Sequence, residues 1–249
     1  MKTHNFSTVL IFAAFFIISS GCNFLGTYER GNGNVITVTR NLSSLNKISI
    51  GGNFEVLLRK SDTNSVTIIS DENLEKLIKT EVENGELKIS SPKKLISVKK
   101  TKLEINYVHL NQIRVSGATL LNSSDLLESE KLELSLEGAG MIDLQIKVVD
   151  LEAQLSGAGI VKFNGYATNA SISLSGAGGL EAYGLETLNC KIDVSGLGGA
   201  KINVKNDLTA TIEGVGGIQY IGHPEKVNKN VSGVGTIKEE NQPDDDSSN

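Results

Sequence analysis

The sequence is poor in several residues that often stabilise small domains. Its 249 residues include no tryptophan, three prolines, two cysteines and 5% aromatic residues. A network of disulfides is therefore excluded, and an apolar core has to be built from aliphatic side chains. With 39% hydrophobic residues, the chain still has enough apolar material for a sizeable core.

Positive charge is also scarce. The 24 Lys and Arg residues are outnumbered by 29 Asp and Glu residues, which gives a formal net charge of −5 at pH 7. Much of the negative charge lies in the C-terminal segment KEENQPDDDSSN, so the rest of the chain is close to neutral. Because nucleic-acid binding requires a basic stripe, the composition predicts no nucleic-acid partner.

The first long apolar run lies near the N-terminus, from Phe6 to Ile18. One lysine precedes it and small residues follow it up to Cys22, which is the layout of a secretory signal and too short for a typical transmembrane helix. Small residues before a cysteine resemble the lipobox of bacterial lipoproteins. The sequence thus predicts a signal peptide over residues 1–21 and membrane attachment through a lipid on Cys22, with simple secretion as the alternative.

Glycine, by contrast, is abundant, and much of it recurs in one motif. LSGAG occurs at residues 155–159 and 174–178, and near-copies precede and follow it. The leading residues are separated by 21, 19, 19, 20, 18 and 19 positions and are Val115, Leu136, Leu155, Leu174, Val194, Ile212 and Val231. A period near 19 fits one coil of a β-solenoid or a leucine-rich repeat, and the asparagine and leucine spacing of the latter is absent.

Each coil can be numbered from its leading residue as position 0. Positions −4, −2, +6 and +8 are mostly apolar, which is the period-two pattern of strands with one buried face. Cys190 falls at position −4 and is predicted to be a small core residue rather than a nucleophile. Position +3 is also apolar and is predicted to point inward after a corner; it holds Ala118, Ala139, Ala158, Ala177, Leu197, Val215 and Val234.

Position +2 is a glycine in all seven coils. A corner at this point would need either a positive φ or a very close approach of backbones, and glycine accommodates both. These predicted corner glycines are Gly117, Gly138, Gly157, Gly176, Gly196, Gly214 and Gly233.

Position +7 is predicted to form an outward column. It carries Asp143, Lys162, Glu181 and Lys201 in successive coils, so opposite charges lie one above the other. This pattern favours a ladder that keeps the register, and the same column is the strongest candidate for a binding surface. Carboxylates on adjacent coils are also used by β-helical enzymes that act on polysaccharides, which is the enzyme alternative.

Other chemistry finds little support in the residue pattern. No histidine, cysteine or carboxylate spacing indicates a metal site, and the serines of the repeat lack an accompanying base. The sequence therefore predicts no catalytic residue, no metal and no cofactor.

Outside the repeat, residues 34–115 contain strand-like segments such as VITVTR, KISI and FEVLLRK. They are interpreted as irregular first turns of one solenoid over residues 34–237, with a separate small β-domain as the alternative. A short helix is predicted within Asp71 to Val82, capped by Asp71. Residues 22–33 are expected to be a linker, and residues 238–249 a disordered acidic tail.

Several of these segments together resemble a known family. An early GNGNV, then KISIGGNFEVLL, DENLEKLIKTEVENGELKIS and serial SGAG repeats are similar to the bacterial auto-transporter adhesin head GIN domain family. The resemblance covers roughly residues 33–235. It implies an all-β fold, a right-handed parallel β-solenoid, in an exported and often lipid-anchored protein, and it carries no established catalytic or binding residues.

The predicted function follows by elimination and by this resemblance. We expect a non-catalytic lipoprotein of the cell envelope, on the outer membrane, that acts as an adhesin or scaffold for a protein or glycan ligand. A polysaccharide-acting enzyme and a periplasmic structural or sensing partner are the alternatives.

Overall fold

The computed structural model describes residues 28–99 and 101–241. The predicted signal peptide, Cys22 and most of the predicted acidic tail lie outside these residues. Within them no helix has the length and apolarity needed to cross a bilayer. The single helix described, α1 (Glu72–Glu75), has four residues.

The strands account for most of the described chain. In order, they are β1 (Tyr28–Arg30), β2 (Val35–Asn41), β3 (Lys47–Ile50), β4 (Glu55–Lys60), β5 (Ser65–Asp71), β6 (Lys79–Glu83), β7 (Glu86–Ser90), β8 (Lys94–Ile96), β9 (Lys102–Tyr107), β10 (Gln112–Val115), β11 (Leu120–Ser123), β12 (Leu127–Leu136), β13 (Met141–Leu155), β14 (Ile160–Leu174), β15 (Gly179–Val194), β16 (Leu197–Ile212), β17 (Val215–Ile221), β18 (Lys226–Val231) and β19 (Val234–Glu239).

Parallel pairing stacks these strands into coils. Leu136 pairs with Leu155, which pairs with Leu174, and the same register continues to the end of the stack. The strand segments that precede the corner, at positions −4 to 0, give one face of the stack, face A, and those that follow it, at positions +5 to +8, give a second, face B. Several strands run through both faces, so the pairing forms one 17-stranded sheet. The predicted parallel β-solenoid with coils of about 19 residues is confirmed.

One aliphatic core fills the stack from Leu45 to Ile237. The predicted inward positions −4, −2, 0, +6 and +8 are buried throughout the interior coils, as at Leu134, Ile142 and Phe163. Each aliphatic side chain that is fully buried in this way contributes about 1.5–3 kcal/mol. Stability therefore comes from repeated packing of one coil on the next.

The prediction for position +3 is wrong. All seven residues of this column are exposed, as Ala139 and Leu197 illustrate. Exposure alternates through the corner: positions +1 and +3, and position +5 where it is not glycine, are exposed, while the glycines at +2 and +4 are partly buried in the interior coils. A Cβ on these glycines would point at the backbone of the neighbouring coil and not into the core.

Close approach explains the corner glycines. A Cβ on Gly157 would lie 1.8 Å from the carbonyl oxygen of Gly138 in the preceding coil, and the other six meet a backbone oxygen at 1.8–2.2 Å. None of the seven has a positive φ, which was the other explanation offered by the sequence. The coils thus pack backbone on backbone at this corner.

Replacement of a corner glycine should be strongly destabilising. A glycine at the outward position +5, by contrast, should tolerate a methyl group. We expect Gly157→Ala to lower the free energy of unfolding by about 3 kcal/mol or more, since neighbouring backbone must move. The matched control is Gly179→Ala, whose Cβ would have 3.8 Å to its nearest neighbour. It should be neutral or stabilising by about 0.5–1 kcal/mol. Chemical denaturation of both variants measures this, and equal losses would contradict the close-approach explanation.

Antiparallel strands close the N-terminal end of the stack. The coil of β3 and β4 lies between that of β10 and β11 and that of β7 and β9, so the coil order departs from the chain order. Strand β5 then pairs antiparallel with β9, β2 with β5, and β6 with β7. Part of the predicted linker also has regular structure, because β1 pairs with β8.

The predicted helix over Asp71–Val82 is mostly wrong. Helix α1 ends at Glu75, and β6 forms a hairpin with β7 instead. The connecting residues Asn84 and Gly85 both have positive φ, of 51° and 76°. Asn-Gly between two strands is a strong hairpin signal. The sequence contains this signal in the segment ENGE, at residues 83–86.

Asp71 occupies the predicted N-cap position of α1, but its side chain makes no capping hydrogen bond and is instead a buried anchor for two segments. Its carboxylate accepts hydrogen bonds from the amide of Gly33 at 2.7 Å, the hydroxyl of Ser97 at 2.6 Å and the amide of Val98 at 3.2 Å. The Ser97 hydrogen bond holds the pKa of Asp71 below its usual value, the two amides act in the same direction, and burial opposes them. The ionised carboxylate thereby ties the N-terminal segment and the loop after β8 to the end of the stack.

Asp71→Asn should weaken this anchor, because an amide NH₂ would face the donors Ser97 and Val98. We expect a loss of about 2 kcal/mol at pH 7. Since the folded-state pKa is lowered, the contribution of the carboxylate is present above its unfolded pKa of about 3.9 and is lost as the pH falls through the folded value. The gap between wild type and variant should therefore shrink below about pH 4. The exposed Asp62→Asn serves as the control, and a gap that does not depend on pH would argue against the anchor.

The C-terminal coil closes the core with charge. Lys229 continues the inward column of Ala210, and Glu239 continues that of Tyr220. The ammonium of Lys229 lies 4.8 Å from the centroid of the Tyr220 ring, and Tyr220 donates a hydrogen bond to Glu239 at 3.4 Å. Strand β19 extends to Glu239, so regular structure runs two residues beyond the predicted solenoid boundary.

Candidate functional site

The predicted charge column lies on face B and pairs as expected from its alternating signs. Lys162 approaches Asp143 at 3.4 Å, and Lys201 approaches Glu181 at 3.1 Å. All four side chains are substantially exposed. Exposed pairs of this kind contribute about 0–1 kcal/mol each.

These carboxylates do not have the surroundings of a catalytic pair. A glycosidase acid needs a desolvated carboxyl group, whereas Asp143 and Glu181 are open to solvent and engaged by lysines. One aromatic ring stands beside the column: Tyr183, whose ring centroid is 6.0 Å from the Lys201 ammonium. Burial, and after it the nearby Glu240 and Glu181, raise the pKa of Tyr183.

The serines of the repeat lie at the corner, and two of them bond to backbone. Ser116 and Ser156 donate to the carbonyl oxygens of Ile50 and Leu136 in the neighbouring coil, both at 3.4 Å. No described group of three or more His, Cys, Asp and Glu residues is arranged to hold a metal ion. His223 lies at an exposed turn, where its Nδ1 is 2.8 Å from Glu239 Oε1.

Cys190 is part of the core, between Ala170 and Leu208 in the position −4 column. Burial raises the pKa of its thiol to about 12. A thiol in this state is neutral at physiological pH, so it cannot serve as a nucleophile.

Native protein should therefore resist thiol alkylation. In a Cys22→Ala variant, which leaves Cys190 as the remaining cysteine, we expect no labelling by iodoacetamide at pH 8 over hours and full labelling in denaturant. Mass spectrometry of the intact chain reports both states. Rapid labelling under native conditions would mean that this part of the core opens readily.

Face A presents a long polar surface that the sequence did not single out. The outward residues of its strands, at positions −3 and −1, carry carboxylate, amide, hydroxyl and cationic groups. A depression of about 150 Å³ on this face is lined by polar groups including Gln112, Arg114, Glu133, Glu152 and Gln154. Nine parallel strands contribute to the face, which at about 4.8 Å per strand spans roughly 38 Å.

A second surface runs along the corner and is apolar. We name it the corner stripe; it consists of positions +3 and +5 of the seven regular coils. Position +5 holds Leu120, Met141, Ile160, Gly179, Gly199, Gly217 and Thr236. In the C-terminal coils, where +5 is glycine, an open groove of about 410 Å³ lies between the stripe and the charge column.

The chain that carries these surfaces matches a known protein family over most of its length. The family described as putative auto-transporter adhesin, head GIN domain, matches residues 44–224. No functionally curated protein matches the chain.

Solved structures with the same fold come from Bacteroides and Parabacteroides species. A putative adhesin from Bacteroides fragilis is 28% identical, has a TM-score of 0.82, and is aligned over 85% of this chain and 100% of its own. A putative adhesin from Parabacteroides merdae is 23% identical, with a TM-score of 0.67 and coverage of 86% and 100%. A putative lipid binding protein from Parabacteroides distasonis is 22% identical, with a TM-score of 0.71 and the same coverage.

Proposed function

Because this chain belongs to the auto-transporter adhesin head GIN domain family, we propose that it is a non-catalytic adhesin-like binding protein of the cell envelope. In this proposal a lipid on Cys22 attaches the chain to the outer membrane. The solenoid offers an extended polar surface to which a protein or glycan ligand binds.

The observation that carries the proposal is the regular polar surface of face A. Its groups recur at the strand spacing and lie on a rigid, fully packed support, which lowers the entropic cost of binding an extended ligand. Gln112 already donates to Glu133 at 2.9 Å, and Lys131 bridges Glu133 and Glu152 at 2.6 and 3.2 Å. A polymer with hydroxyl, amide or charged groups would find several partners at once along this face.

Binding should therefore depend on face A more than on face B. We expect Glu152→Ala combined with Gln154→Ala to weaken binding of the lipid-free chain to isolated envelope polymers or host matrix at least about 10-fold. The matched control is Glu181→Ala with Lys201→Ala, an equal loss of polar groups on face B. Surface plasmon resonance measures both. Loss only in the control would move the site to the charge column, and no binding by wild type would end the adhesin proposal.

The enzyme alternative makes a separate prediction. If a glycan were turned over by the charge column, Asp143→Ala or Glu181→Ala would abolish turnover. An unaltered rate in both variants would remove these carboxylates from consideration.

The side of the membrane decides between an adhesin and a periplasmic partner. Protease treatment of intact host cells should remove the protein if it faces outward, and mass analysis of the N-terminus should find an acylated Cys22. A protected, acylated protein would instead favour the periplasmic structural or sensing role.

A further inference from the structure

The corner stripe exposes large apolar side chains with little intramolecular cover. Leu197, Val215 and Val234 are 64%, 51% and 73% exposed. Fourteen large hydrophobic residues are exposed in the described chain, and six of them lie on this stripe. The remaining three of these six are Leu120, Met141 and Ile160. A contiguous apolar patch of this kind marks an interaction surface.

Large and small residues alternate in a defined way along the stripe. In the N-terminal coils +3 is alanine and +5 is large, as in Ala139 with Met141 and Ala158 with Ile160. In the C-terminal coils the order is reversed: Leu197, Val215 and Val234 stand at +3, while +5 is Gly199, Gly217 and Thr236. Each of these coils therefore presents one ridge and one hollow.

The hollows at +5 have no internal explanation. A Cβ on Gly179 or Gly217 would have 3.8 Å to its nearest neighbour, and on Gly199 it would have 3.4 Å, in contrast to 1.8 Å at Gly157. None of the three outward glycines has a positive φ. Glycine weakens a strand, and one use of it there is to let another surface approach closely.

We propose that the corner stripe is a self-association surface, at which two copies of the chain meet about a two-fold axis parallel to the solenoid axis. In this arrangement position +3 of each coil faces position +5 of the same coil in the partner. Leu197 enters the hollow above the partner's Gly199, and Met141 covers the partner's Ala139. One copy thus fills the groove of the other at every level where a ridge and a hollow coexist.

Charge selects this orientation over the opposite one. A two-fold axis perpendicular to the solenoid would also match ridges with hollows, but it would set the charge column against itself. Lys162 would then face the partner's Lys201, and Glu181 would face its own copy. With the parallel axis, the charge column faces position +1. Ser156, Ser175 and Ser195 then lie opposite Lys162, Glu181 and Lys201, and a hydroxyl bonds either sign of charge. Glu137 opposite Asp143 is the one like-charged level of the column, against three with the perpendicular axis.

The size of the stripe indicates a weak dimer. Seven coils at about 4.8 Å give a length near 34 Å, and the six residue steps from position +1 to position +7 at about 3.3 Å give a width of at most about 20 Å, because the chain bends at the corner. The footprint is therefore at most about 700 Å² per copy or roughly 1,400 Å² in total, no higher than the lower part of the range for specific interfaces. A dissociation constant in the micromolar range is expected.

Sedimentation equilibrium of the chain from residue 22 onward, with Cys22→Ser to keep it free of lipid, tests the proposal. Wild type should show a reversible monomer–dimer equilibrium. Val215→Glu buries a charge in the interface and should weaken dimerisation at least about 30-fold. Val149→Glu, also exposed in the monomer but off the stripe, should leave it unchanged.

A complementary pair of changes tests the orientation. Gly217→Val alone fills the hollow and should weaken dimerisation at least about 10-fold, although its Cβ would have 3.8 Å to the nearest neighbour in the monomer. The double variant Val215→Ala, Gly217→Val recreates the alanine-then-large order of the N-terminal coils. With the parallel axis, ridge and hollow match again and the wild-type dissociation constant should return.

Three results would overturn the proposal. A wild type that is monomeric up to millimolar concentration would exclude self-association. This holds also if the stripe variants weaken binding of an envelope polymer, since the stripe would then be a ligand site. A dimer that responds to Val149→Glu but not to Val215→Glu would place the interface elsewhere. A double variant as weak as Gly217→Val alone would exclude the parallel axis. Circular dichroism of each variant confirms that the monomer is folded.

Discussion

The whole structure depends on how closely successive coils approach at the glycine corner. At Gly157 the carbonyl of Gly138 occupies the space in which any side chain would begin. This contact holds neighbouring coils in one register, and with a side-chain period of two, a slip of one residue would turn each buried column toward solvent. The aliphatic core, the outward charge column and the corner stripe all presuppose that register.

The inward columns were predictable because they repeat. A coil of constant length places equivalent residues above one another, so an apolar residue such as Ile142 identifies the role of its counterparts. The same logic failed at position +3, because a repeated small apolar residue such as Ala139 looks like a core residue in the sequence although it lies exposed between two glycines. It also failed in the N-terminal region, where the coil of β3 and β4 lies out of chain order and no periodicity reports which strands pair.

Candidate surfaces were harder to predict than the core. The column containing Asp143 and Lys162 could be found from sequence, since opposite charges at the coil period are visible once the repeat is aligned. The role of Gly199 could not, because a glycine required by crowding and a glycine that leaves a hollow look identical in sequence. Only the space around each one separates them: 1.8 Å at Gly157 and 3.4 Å at Gly199.

The charged last coil has a consequence for the length of the molecule. A solenoid is in principle an endless object, because every coil offers the next one the same hydrogen-bonding edge and the same apolar floor. Lys229 and Glu239 replace apolar residues of the inward columns, while the backbone of the last coil can still form hydrogen bonds with another strand. A strand added there would gain backbone hydrogen bonds, but its addition would remove two charged side chains from water. Two charged residues in the inward columns thus end the stack, and they allow a repetitive sequence to specify a solenoid of finite length.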